Sequence, residues 1–254
     1  MKKYFSNNQL AALYSVVVVI SSFIAGQIIL RVFPNRTNIG AFILFVCMNL
    51  TPMVVAGVMS ITSGEVKNLW HFLEKVFAGE EKSIVWILSL AAPIIYYGVS
   101  IALNNVKFTG YAIGAVLAYF PWILLQCCPA EIGWRWYLQE HLLCKKCFIV
   151  KMMIISVVYF AWYLPICMLP WISTDASKYL NIYLFVLGNT FMFGAIKELS
   201  KGIVPCVIAH MLIDGLVVIM LVQNSLWRIV ALVSIEILLS ICSFYFFQRK
   251  TNEI

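Results

Sequence analysis

Residues 84–103 read IVWILSLAAPIIYYGVSIAL. The run carries no charged side chain. A helix that crosses a bilayer takes about 20 mostly apolar residues, and this stretch has that length. Working outward, comparable runs recur at 10–32, 39–61, 110–129, 149–170, 179–197, 203–222 and 227–247. Polar breaks separate them, among them Pro34-Asn35-Arg36, Asn104-Asn105, Lys145-Lys146, Ser173-Thr174-Asp175 and Gln223-Asn224. The expected fold is all-α: a polytopic membrane bundle of about eight transmembrane helices, forming one domain over 1–254. The longer break at 63–83 mixes charges with Val66, Leu69, Trp70, Phe72, Leu73 and Phe77, which suits an amphipathic helix at the membrane surface over 65–78.

Composition agrees with the runs. Hydrophobic residues make up 63% of the 254, charged residues 11%, and mean hydropathy is +0.92. Soluble domains carry about 45–50% apolar and about 25% charged residues, so a water-soluble enzyme and a disordered chain are both excluded. The net charge of +7 does not imply nucleic acid, because the basic residues cluster at span ends. Twelve fall on one side: Lys2, Lys3, Lys67, Lys75, Lys82, Lys145, Lys146, Lys151, Lys197, Lys201, Arg249 and Lys250. Five fall on the other: Arg31, Arg36, Lys107, Lys178 and Arg228. The positive-inside rule then puts both termini in the cytoplasm and requires an even number of spans. The first run follows Lys2-Lys3 but is too long for a signal peptide and lacks a cleavage site, so it reads as an uncleaved span. Most of the eight cysteines lie in apolar runs and read as small buried hydrophobes. Cys144-Lys145-Lys146-Cys147 lacks nearby partners for zinc and reads as free thiols.

Ionisable groups inside spans are expensive, and function is their default explanation. One cluster is Pro129-Ala130-Glu131-Ile132-Gly133-Trp134-Arg135-Trp136-Tyr137-Leu138-Gln139, where Glu131 and Arg135 share a helical face. An ion pair ending a span is the plain alternative. A second is Tyr159-Phe160-Ala161-Trp162-Tyr163-Leu164-Pro165, which by itself is an aromatic face with a kink. The third spans 202–216 and sets His210 and Asp214 four apart. A carboxylate one turn away orients an imidazole, although a satisfied core histidine has the same pattern. An acid, a histidine and its partner can surround a water in a protein-lined cavity, and peptide hydrolysis needs a base and oxyanion donors there. A metal held by Glu131, His210 and Asp214 is possible in principle, but the spacing does not establish one, so no cofactor is expected. The absence of repeats or matched broken helices argues against a transporter using the same residues.

In order and span placement, the three clusters resemble the CAAX protease and bacteriocin-processing family, which includes type 2 CAAX prenyl proteases and bacterial lysostaphin-resistance-like proteins. The resemblance covers roughly 110–222. It implies an intramembrane glutamate protease fold with the pattern Glu-Glu-x-x-x-Arg, Phe/Tyr-x-x-x-His and His-x-x-x-Asn/Asp. Here Ala130 stands where the water-activating glutamate belongs, and Tyr163 where the middle histidine belongs. Glu131, Arg135, His210 and Asp214 remain, the last two implied to bind the oxyanion. One residue step turns a helical side chain by about 100°, so Glu131 does not replace a base at position 130. The resemblance therefore implies weakened or absent proteolysis. Two functions follow as expectations. One is a non-catalytic protein binding a membrane-associated peptide or protein partner, as in bacteriocin immunity or envelope regulation. The other is an endopeptidase processing a small membrane-associated peptide. Both place the chain in a cell membrane, expected to be a bacterial plasma membrane.

Overall fold

The structure, a computed structural model, describes residues 6–35, 37–142, 147–169, 176–223 and 225–252; for 176–178 and 248–252 it describes the backbone only. Its helices are α1 (Asn7–Val32), α2 (Ile39–Thr62), α3 (Leu69–Phe77), α4 (Ser83–Ala102), α5 (Ile113–His141), α6 (Phe148–Cys167), α7 (Ala176–Leu199), α8 (Val204–Leu216) and α9 (Leu226–Asn252). Strands β1 (Val106–Phe108) and β2 (Met220–Val222) form a short antiparallel ladder that pairs Val106 with Val222. Among the described residues, seven helices are long and apolar enough to cross a membrane; α8 is apolar but shorter. The chain is an all-α polytopic bundle. Calls on Lys2, Lys3, Arg36, Cys144, Lys145, Lys146, the 173–175 break and Asn224 lie outside the described residues.

Local chemistry sets several helix starts. Ser6 and Gln9 form a reciprocal cap at α1, with the Gln9 N–H donating to Ser6 Oγ and the Ser6 N–H to Gln9 Oε1. Asn38 Oδ1 accepts from the Gly40 N–H at α2. The amphipathic stretch is helical only from Leu69, because Asn68 Oδ1 takes the His71 N–H and His71 Nδ1 takes the Lys67 N–H. Helix α3 buries Phe72 and Val76 and leaves Trp70 exposed.

The chain forms two compact units. The first comprises Met1–Val76 and Pro129–Tyr183. In it α1 meets α2 and α6 through small residues. Ser22 Oγ donates to the Trp162 carbonyl at 2.7 Å, and Gly26, one turn on, lies against Pro165. Small residues four apart are what close helix approach in a membrane requires. Trp134 stacks on Tyr159 (4.7 Å, 19°) and meets Tyr14 and Trp162 edge-on. The tryptophans at 134, 136 and 162 are thus buried packing residues.

The second unit comprises Phe77–Cys128 and Leu184–Ile254. Here the expected span 203–222 takes an unexpected form. Only Val204–Leu216 is helical, 13 residues, or about 20 Å. Residues 200–203 enter in a non-helical conformation. Glu81 clasps this entry by accepting from the Lys201 and Gly202 N–H groups at 2.7–3.0 Å. Farther along, Ser89 Oγ donates to the Pro205 carbonyl and Tyr97 Oη to the Ile213 carbonyl, each at 2.6 Å. These contacts run in parallel, so 201–213 follows α4 from position 81 to 97. The same contacts bring Lys82 and Lys201 to one end, as the charge bias required.

Candidate functional site

Helix α5 carries the first cluster, and its backbone is not uniformly α-helical. Residues Ile132–Leu138 form a π-helical segment between two α-helical ones, and the Gln139 N–H reaches back five residues to the Trp134 carbonyl. Such segments inside α-helices occur often at functional sites. Pro129 supplies no N–H to the carbonyl four residues before it, so the regular ladder is already broken at the entrance. Gly133 lies so close to α1 and α2 that an added Cβ would run into the Tyr14 hydroxyl and the Pro52 ring.

Glu131 and Arg135 are both fully buried, with Arg135 Nε 3.3 Å from Glu131 Oε2. The pairing expected from their spacing is present. Ala130 is buried and offers only a methyl group. Tyr163 is partly buried, its ring tilted 58° against Trp162.

The third cluster lies in the second unit. His210 Nε2 stands 3.5 Å from Asp214 Oδ2, one helical turn away on α8. The Phe193 ring lies against the imidazole, with centroids 5.3 Å apart. A third group joins them from α5: the Cys127 thiol donates to Asp214 Oδ2 at 3.5 Å. Glu131 and Arg135 belong to the first unit and His210, Asp214 and Cys127 to the second; the structure pairs residues within each set. Cys127, His210 and Asp214 bring their donor atoms within 4.8 Å of one another.

Sequence reading missed three residues. Cys127 was read as one more apolar-run thiol, since its partners lie 83 and 87 positions away. His141 Nε2 lies 3.0 Å from Glu65 Oε1, while its Nδ1 faces the Tyr137 carbonyl at 2.9 Å. Glu236 is buried on α9, against Gly188, and neither carboxylate oxygen has a hydrogen-bond partner among the described residues. As the lone acid of the run 227–247, it was detectable by the rule that flagged Glu131. Arg228, counted above among the charges at span ends, is buried; its Nε donates to Ser100 Oγ at 2.7 Å and its guanidinium lies over the Tyr96 ring. Its long side chain carries the charge inward along the helix end.

Residues 111–216, which hold all three clusters, match the family model of type II CAAX prenyl endopeptidase Rce1-like proteins. Over those residues the chain is similar to the Rce1-like CAAX proteases, and its apolar helices make it a multi-pass membrane protein. No curated protein matches the chain.

Proposed function

We propose that this chain is a non-catalytic relative of the Rce1-like CAAX proteases that binds a membrane-associated peptide or protein partner, in bacteriocin immunity or envelope regulation at a bacterial plasma membrane. The observation that carries this reading is the state of positions 130 and 131. Ala130 has no proton-accepting group, and Glu131 is buried in contact with Arg135. A carboxylate engaged this way is held by its cation and does not swing to serve a water. Replacing a general base costs typically about 10²–10⁴-fold in rate. Tyr163 supplies a phenol, a poor base at neutral pH. A second reading, an active endopeptidase, draws support from the retained His210–Asp214 contact.

Peptide cleavage in nanodiscs separates the two. A library of membrane-anchored peptides is incubated with wild type, Ala130→Glu and His210→Ala, and products are read by mass spectrometry. The non-catalytic reading expects no products from wild type, and cleavage, if restored, only in Ala130→Glu. Wild-type cleavage that disappears in His210→Ala would establish the enzyme instead.

A further inference from the structure

Cys127, His210 and Asp214 bring a thiol, an imidazole and a carboxylate to one place, with their donor atoms all within 4.8 Å of one another. Asp214 Oδ2 is the common vertex, 3.5 Å from both His210 Nε2 and Cys127 Sγ. In a tetrahedral zinc site the ligands lie about 2.0–2.3 Å from the ion, which sets them about 3.3–3.8 Å from each other. Two edges of this triangle already have that length. The triangle is also unlike a nucleophilic relay. There the thiol and the carboxylate take opposite ring nitrogens and stand apart, whereas here the carboxylate oxygen touches the thiol directly.

The backbone around the ligands is held in place. The Tyr97 hydroxyl fixes the carbonyl of Ile213, beside Asp214. Gly215, on its other side, lets α8 approach α5 until a Cβ would stand 3.4 Å from Ile123 and Val116. The Asp214 side chain is 42% exposed, which gives an ion a way in. Thiolate and imidazole ligands favour borderline d-block ions over calcium or magnesium. A divalent ion there would be neutralised by one thiolate and one carboxylate, which limits the cost of charge in apolar surroundings.

We propose that Cys127, His210 and Asp214 form a binding site for a divalent transition-metal ion of the zinc type, with three protein ligands and one open position. The metal replaces the thiol proton, which leaves to solvent, and forms the sulfur–metal bond in its place. This inference goes beyond the peptide-binding reading and does not depend on it, because the ion is measured with no peptide present.

The test uses the full chain in nanodiscs, with Cys144→Ser and Cys147→Ser in every sample to remove the other closely spaced thiol pair. Chelator-stripped protein is loaded with Co²⁺ and with Zn²⁺, and metal per chain is measured by atomic emission. Expected are one ion per chain, a near-ultraviolet thiolate-to-cobalt charge-transfer band and a rise in Tm with Zn²⁺. Cys127→Ser abolishes the band, Asp214→Asn weakens binding at least about tenfold, and Cys206→Ser changes neither. Absence of retained cobalt in the parent protein, or a band that survives Cys127→Ser, would overturn the assignment. Should Cys127→Ser not fold, Asp214→Asn decides: unchanged affinity there would also overturn it.

Discussion

Glu131 shows how much one buried contact constrains chemistry. A charge removed from water is tolerated when its partner is fixed nearby, and the Arg135 guanidinium at 3.3 Å is such a partner. Removing one member leaves the other without its counter-charge, at a cost of roughly 3–5 kcal/mol for a buried pair. Glu131→Gln is therefore expected to lower thermal stability in detergent strongly, and the double change Glu131→Gln with Arg135→Met to recover most of the loss. A Glu131→Gln protein as stable as wild type would mean that the carboxylate is not held, and the case against Glu131 as a base would weaken with it. His210 and Asp214 were legible because a four-residue spacing is local. Cys127 was not, since only the folding of α8 against α5 brings it to Asp214.

Among the elements, α5 combines a π-helical segment with a glycine that admits close approach. Gly133 stands where the Tyr14 hydroxyl and Pro52 leave no room for a methyl group, whereas an added Cβ at Gly98 on α4 meets nothing within 4 Å. Gly133→Ala is expected to destabilise the protein by about 1–3 kcal/mol, the usual cost of overpacking, and Gly98→Ala to leave it nearly unchanged. Equal melting temperatures for the two variants would show that α5 moves aside freely. Hydropathy reveals none of this. A π segment and an α-helix share one composition, so residues 132–138 read as helix in either case. The early end of the helical part of 203–222 was equally hidden, because Met220–Val222 pairs with Val106–Phe108, far back in the sequence.

For the whole molecule, run length and charge bias made the bundle legible from the sequence, since hydrocarbon thickness fixes helix length in advance. Counting helices alone would give seven long ones and opposite sides for the two termini. We propose that 201–213, which runs beside α4, is an eighth crossing. Reporter fusions at the two ends are accordingly expected to give the same cytoplasmic signal, and opposite signals would show that α8 fails to cross. The clasp before α8 also acts as a ruler. Glu81 pins the peptide at Lys201 and Gly202, and the turns of α8 that follow carry His210 and Asp214 a set distance from that point. The carboxylate that holds this peptide thereby sets how deep the imidazole lies.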